Sequence, residues 1–300
     1  MSKIKIYIFA LLSMLFWGFS FVWIKIVYEN GYRPIMTIFL RLVISSLMLF
    51  LIIKLMNRGQ KIQKADYGKF MLLAFFEPLL YFMGESFGLT MVSSTVAAVI
   101  VSTIPVISPM FAYMFAKEKI SLINIIGLIV SFAGIMLMVV DRNFVFDASP
   151  LGVFLEFCAV MAAIFYSVAI KKLTHKYSAL TIIKVQNFIG AIYFLPLFLI
   201  FDFNCFISIK PNIDLIYSLL MLSVFASSAA FVLYIPVIRE LGIVRANIFT
   251  NFIPVFTAVT SYFVLSETFD LGKISGMAIV IFGVIISQVY QKKKAKKNQL

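Results

Sequence analysis

The chain has 300 residues, 62% of them hydrophobic and 13% charged, with a mean hydropathy of +1.03 and a formal net charge of +13. A soluble domain is about half apolar and about a quarter charged. This composition leaves too little polar surface to face water and excludes an ordinary soluble protein.

A helix crossing roughly 30 Å of hydrocarbon needs about 20 apolar residues. Stretches of that kind cover 6–27, 35–56, 70–89, 93–116, 120–140, 151–170, 179–201, 214–236, 242–265 and 271–290. Several are too long for strands of a membrane barrel, and backbone groups in lipid must bond within their own segment. The expected fold is therefore an all-α integral membrane protein with ten transmembrane helices. The first stretch exceeds a signal h-region and has no A-x-A-like site after it, so it reads as a retained first span. Alternating the spans from a cytoplasmic amino terminus puts nineteen of the 26 basic residues inside and four outside, with Lys25, Arg41 and Lys184 within spans. That bias is the positive-inside rule and places both termini in the cytoplasm. The basic excess, including the tail "QKKKAKKNQL", thus belongs to membrane topology and not to nucleic acid. The expected setting is a multi-pass plasma membrane protein of the bacterial inner-membrane type. Its expected partners are the lipid bilayer and a small molecule, with the chain a monomer or a homodimer.

In chain order, Ser13, Trp17 and Ser20 share one face of the first span, and Trp17 is a cavity candidate as well as an ordinary packing aromatic. Lys25 stands near the end of that span and Arg41 lies within the second. The third span carries "FFEPLLYFMGESFGL" (75–89). An ionisable group deep in lipid costs about 2.5–3.5 kcal/mol on insertion scales. At 100° per residue, Glu77, Tyr81 and Glu85 fall within an arc of about 80°, with the carboxylates about 12 Å apart along the axis. Pro78 removes one helix hydrogen bond and frees the carbonyl of Ala74. Two readings stand side by side. In one, Glu77 pairs with Arg41 and the helix is kinked. In the other, Glu77 and Glu85 line a solute or proton path, with Glu85 the stronger candidate.

The fourth and ninth spans carry matched prolines, Pro105 and Pro254, read with Pro78 as hinge or cavity-shaping positions. Glu118 and Glu267 end those spans beside short turns and read as structural groups that bond loop backbone or cap the next helix. In the sixth span, Glu156 is expected to pair or to reach the interface, as is Lys25. The seventh span places Lys184, Gln186 and Asn187 together in "KVQNF" as further path candidates. Cys158 and Cys205 make neither a metal pattern nor a disulfide pair.

One offset of 149 aligns Ala97, Ile104, Pro105, Val106, Tyr113, Glu118, Gly127 and Gly134 with Ala246, Ile253, Pro254, Val255, Tyr262, Glu267, Gly276 and Gly283 without a gap. An offset of 147 pairs Ser20 with Ser167 and Lys25 with Lys172. The chain thus divides into 1–143 and 144–300, five spans each, and an odd number inverts the second half in the membrane. The glycines are expected at close helix contacts.

These residues carry a resemblance. "FWGFSFVWIK" (16–25), Arg41, and the duplicated set of "IPV", glutamate and two glycines are similar to the drug/metabolite transporter superfamily, EamA-type branch. The resemblance implies two inverted five-helix repeats, cytoplasmic termini, and export or uptake of small metabolites, amino acids or drug-like molecules by alternating access, with proton coupling open. "EPLLYFMGES" departs from the uncharged third span of that branch. The lone histidine, His175, sits in a basic loop, and neither a Walker motif nor H-E-x-x-H is present. No catalytic residue, cofactor or metal is expected. The alternative is a non-transporting polytopic protein, a sensor or an intramembrane enzyme. The topology predicts that single cysteines in the 56–69 loop are shielded from an impermeant thiol reagent in intact cells. A cysteine at Asn204 should react, and external labelling of the carboxy-terminal tail would refute the arrangement.

Overall fold

Apolar residues on all sides leave the helix as the backbone solution. A computed structural model, which describes residues 3–57, 59–108, 111, 122–139 and 148–297, contains helices and no strand among those residues. In order these are α1 (Lys3–Glu29), α2 (Pro34–Leu55), α3 (Lys64–Gly88), α4 (Ser94–Ser108), α5 (Leu122–Val139), α6 (Pro150–Thr174), α7 (Ala179–Ser208), α8 (Ile213–Leu241), α9 (Phe249–Val264) and α10 (Leu271–Lys297). Six of them, α1, α2, α3, α6, α7 and α8, are long and apolar enough to cross a membrane, and the other four carry shorter apolar helical stretches. Tyr113, Glu118 and the division at 143/144 lie outside the described residues.

Short polar residues start the helices where the sequence leaves a gap between apolar runs. Ser93, Ser149 and Ser178 accept from the amides of Val96, Gly152 and Thr181, and Asn212 accepts from Leu215 N at 2.8 Å. Each satisfies an amide that the first helical turn cannot. Pro34 and Pro150 occupy first-turn positions, where their missing N–H is harmless.

The matched prolines do not kink continuous helices. The helix of α4 ends at Val101, and Ser102 and Thr103 form a turn before it resumes at Ile104. Pro254 follows a 3₁₀ segment, Ile248–Phe252, preceded by the short helix Ile243–Asn247. The chain tightens ahead of each ring, because the proline cannot supply the amide that the preceding turn requires.

The matched glycines do meet. α5 packs chiefly on α10. A Cβ at Gly134 would lie 2.7 Å from Gly276 O, and one at Gly283 would lie 2.8 Å from Gly127 O. Small residues let two backbones approach where dispersion, and not water, drives packing. Gly134→Ala should therefore lower the stability of the purified protein by about 1–3 kcal/mol, the cost of overpacking. Gly68→Ala, where a Cβ meets nothing within 4 Å, should leave the thermal midpoint unchanged. Equal midpoints for the two variants would contradict the seam.

Candidate functional site

The site begins with the broken helix of the third span. Within α3, Phe75–Leu80 is a π-helical stretch, and Glu77 leaves helical geometry altogether (φ −146°, ψ 117°). A Cβ at Gly190 of α7 would overlap the Pro78 ring, so a glycine is what lets α7 lie against the break. The regular register that put Glu77, Tyr81 and Glu85 on one arc is lost. All three nevertheless line one cavity.

Trp17, Ser20 and Phe21 of α1, Arg41 of α2, and Glu77, Tyr81, Phe82 and Glu85 of α3 form part of its wall. Val101 and Ile104 of α4, Ala163, Tyr166 and Ser167 of α6, Phe231 and Tyr234 of α8, and Asn247, Thr250 and Ile253 in and before α9 complete it. The cavity measures about 60 Å³. One water needs about 10–15 Å³ by the same measure, so in this conformation there is room for a few waters, and a larger solute requires the walls to part. Trp17 stands edge-on to Phe231 and Tyr234, with ring centroids 4.9 and 5.0 Å away.

Arg41 is 2% exposed. Its Nε donates to Ser227 Oγ at 2.7 Å, and its guanidinium lies over the Phe82 ring at 4.1 Å. Its Nη1 is 4.0 Å from Glu85 Oε2 and has no hydrogen-bond partner among the described residues. Tyr81 donates its hydroxyl to Glu85 Oε1 at 2.9 Å. The structure thus brings Arg41 to Glu85, not to Glu77. The reading that paired them took the two charges to lie at similar depth beside a kink, and Glu77 instead leaves helical geometry altogether. Among the described residues, Glu77 has neither a hydrogen bond nor an ion pair to its carboxylate, which faces the cavity. Asn247 is similarly poised: its Oδ1 accepts from Tyr234, and its buried Nδ2 is unpartnered.

Gln186 and Asn187 stand behind the wall. Gln186 Oε1 accepts from Tyr166, and Asn187 Nδ2 donates to Ser45 Oγ at 2.6 Å and Ser227 O at 2.8 Å. The serine that holds Arg41 is therefore itself held. Lys184 is half-buried and does not line the cavity. Lys25 and Glu156 depart from expectation as well. Lys25 Nζ donates to Val92 O at 2.7 Å, and Glu156 is wholly buried with both oxygens unpartnered among the described residues. Glu267 does not cap the helix that follows it. It accepts from Ser94 N at 2.9 Å and Thr95 Oγ1 at 2.7 Å, at the start of α4.

Tyr166, Phe231, Tyr234, Asn247 and Thr250 were not singled out from sequence, and Ser167 only as the repeat partner of Ser20. A signal existed, because Ser167 pairs with Ser20 at the offset of 147. At the offset of 149, Phe82 pairs with Phe231, Glu85 with Tyr234, Val101 with Thr250 and Ile104 with Ile253, and every one of these lines the cavity.

Polar clasps stand at the two ends. Asp66, in the turn ahead of the third span, accepts from Lys176, Lys69 and Tyr177. Gln63 N donates to Tyr177 Oη, and Arg239 donates to Tyr177 O. At the other end Asp202 accepts from Met36 N at 3.0 Å and lies 3.9 Å from Arg33, while Asn212 bonds Asn30. Hydrogen bonds from Lys176, then Lys69 and Tyr177, hold the Asp66 carboxyl well below the usual carboxylate range.

Helices long enough to cross a membrane, closed round a cavity of charged and aromatic side chains, define a multi-pass membrane protein with an internal chamber. The EamA-like transporter family matches the chain twice, over residues 4–140 and 150–288. The chain belongs to that family. An uncharacterized transporter of Archaeoglobus fulgidus is 26% identical over 94% of this chain and 98% of its own. One of Clostridium kluyveri is 25% identical, with 96% and 94% covered, and the uncharacterized transporter YetK of Bacillus subtilis is 25% identical, with 84% and 78% covered. A solved crystal structure superposes with a TM-score of 0.72 over 97% of this chain and 99% of the other, at 13% identity, a likeness of fold alone.

The Asp66 clasp makes a pH prediction. A carboxyl whose folded value is depressed stabilises fully above its unfolded value of about 4. That contribution fades as pH falls below it and is lost on passing the folded value. Asp66→Asn should melt below wild type at pH 7, and the gap should narrow under acid. A gap that widens below pH 4 would contradict the clasp.

Proposed function

We propose that the protein is a secondary transporter that moves small metabolites, amino acids or drug-like molecules across the plasma membrane by alternating access, as an exporter or permease. In this reading the ten apolar stretches all span, in two inverted repeats with cytoplasmic termini, as expected for an inner-membrane protein. The observation that carries the reading is the cavity wall itself, to which Phe82, Glu85, Val101 and Ile104 and their partners at the offset of 149 all contribute. A chamber lined that way sits on a pseudo-two-fold axis, where substrate sites of inverted-repeat transporters lie.

Two further features support the inversion. The glycine contacts Gly134–Gly276 and Gly127–Gly283 exchange into each other under the offset, and they run antiparallel. A two-fold axis in the membrane plane produces that pattern, whereas an axis along the normal would leave the helices parallel. The clasps exchange in the same way. One joins the start of α3 to the loop after α6, and the other joins the loop after α7 to the loop after α1 through Asn212 and Asn30. Opening one clasp while the other holds is alternating access in its simplest form.

Within the cavity, Glu77 is the free carboxylate for a cationic group or a proton, and Glu85 is tied to Arg41 and Tyr81. Trp17, Tyr166 and Tyr234 supply apolar walls with polar tips. Pro78 stands at the break in α3, and the interruptions ahead of Pro105 and Pro254 carry Val101, Ile104, Thr250 and Ile253 to the chamber wall. Gln186 and Asn187 hold the wall from behind.

Counterflow in vesicles reconstituted with purified protein separates a transporter from a sensor or an enzyme. A charge-assisted contact contributes about 1.5–3 kcal/mol, so Glu77→Gln should lower transport about tenfold or more while melting with the wild type, whereas Glu85→Gln should lower transport and also melt below wild type, because it strands the buried Arg41 charge. Normal transport by both variants across pH 6 to 8 would assign the carboxylates a structural role.

A further inference from the structure

Glu156 takes no part in the cavity, yet it is the most completely enclosed carboxyl in the described chain. It lies on α6 against the end of α3, where a Cβ at Gly88 would sit 2.6 Å from Oε1 and 3.0 Å from Cδ. The seam is tight on both sides of it. A Cβ at Gly84 would lie 2.6 Å from Leu155 O, and one at Gly152 would lie 2.7 Å from Met91 Cβ. Neither carboxyl oxygen has a hydrogen-bond partner among the described residues.

The charged groups near enough to act on Glu156 are Glu85 of α3 and Lys25 of α1, and the hydroxyls of Tyr28 and Tyr81 feel it as well. Helix segment Ser94–Val101 of α4 and helix α5 contain no titratable residue. Lys25 directs its ammonium to the Val92 carbonyl instead of to Glu156. An ionised carboxylate in a dry site would be expected to draw a mobile ammonium to itself, since an isolated buried charge is far costlier than a neutral acid.

The charges of the cluster lead to the same place. Around Arg41 and Lys25, the carboxyls of Glu77, Glu85 and Glu156 are joined by Glu267 and Glu29, which act on Lys25 ahead of Glu156, so carboxyls outnumber cations and Lys25 is not reserved for Glu156. Glu85 is held by Arg41 and Tyr81, and Glu77 opens onto the cavity. Glu156 is hydrogen-bonded by no cation among the described residues, since Lys25 turns to Val92 O, and it does not line the cavity.

We propose that Glu156 is a proton-binding site, separate from the solute cavity, that carries its proton in this conformation and exchanges it when α3 and α6 part. On release the proton passes to the water admitted at the opened seam, leaving a carboxylate. The Lys25 ammonium then transfers its hydrogen bond from Val92 O to that carboxylate. Val92 lies in the connection between α3 and α4, so loss of the proton frees the chain segment that enters α4. Protonation at Glu156 is thereby tied to the position of the same helix start that Glu267 holds through Ser94 and Thr95. The site rests on burial within a membrane protein and not on the transport reading.

Infrared difference spectroscopy on the full-length protein in lipid nanodiscs tests it without any substrate. Wild type minus Glu156→Gln at neutral pH should show a protonated-carboxyl C=O band that shifts down in D₂O. Raising the pH should replace it with carboxylate bands in wild type only. A difference spectrum containing carboxylate bands alone at neutral pH overturns the proposal. Glutamine is the isostere of the neutral acid, so the variant should melt with the wild type, and a variant that fails to fold overturns it too. Lys25→Met should hold the proton to higher pH, because the carboxylate then lacks its partner, and an unchanged titration refutes the Lys25 step. A negative result in these measurements leaves the transport reading standing, and failed counterflow leaves this site standing.

Discussion

A guanidinium cannot be left bare inside a bilayer, and much of the chamber follows from how Arg41 is held. Burial of an ion in hydrocarbon costs several kcal/mol unless its donors and its charge are met. Two neighbouring helices meet them: α8 offers the Ser227 hydroxyl, and α3 offers the face of Phe82 and the charge of Glu85. α7 then fixes the serine through Asn187. The arginine is thus less a partner for one carboxylate than a tie between helices far apart in sequence. Its remaining nitrogen, Nη1, is where the wall retains unspent donor capacity.

The same economy explains the division of labour among the acids. Glu85 neutralises Arg41 and receives the Tyr81 hydroxyl, so it is committed. Glu77 stands at the point where α3 abandons helical geometry, and its carboxylate is held by nothing described. Irregular backbone at membrane depth is tolerated where it lines a polar cavity, and a charge is tolerated there for the same reason. The break and the carboxylate therefore require the chamber, and the chamber would have little chemical character without them.

Helical class, membrane location and the repeat were legible in the sequence because each is written in a long-range regularity: hydropathy over about 20 residues, charge between spans, and one offset that aligns prolines, glycines and glutamates. Glycine contacts were legible for a similar reason, since a residue without a side chain has few other uses at helical spacing in lipid. What failed to read through was anything that depended on an unbroken helix. The arc of Glu77, Tyr81 and Glu85 assumed regular turns across Pro78, and the alternative pairing of Arg41 with Glu77 assumed similar depth beside a mere kink. The kinks at Pro105 and Pro254 proved to be interruptions placed before the rings. Glu267, read as a structural group that bonds loop backbone or caps the next helix, does hold backbone, but at Ser94, because nothing local reveals which helix start will be brought opposite. The aromatic wall from α6 and α8 was hidden by its ordinariness: tyrosine and phenylalanine at helical spacing look like packing until the repeat is used to pair them.

The contact between Pro78 and Gly190 limits how this chain can diverge. The ring and the bare α-carbon occupy one another's space, so a larger residue at 190 is excluded while the proline remains. Loss of the proline would restore a donor and refill the turn, removing the need for the glycine. Positions 112 residues apart along the chain thus behave as a single inherited character. Among descendants of this sequence the proline–glycine pair is expected to be kept or lost together, and a lineage that has lost it should have a straight third span and a differently shaped chamber.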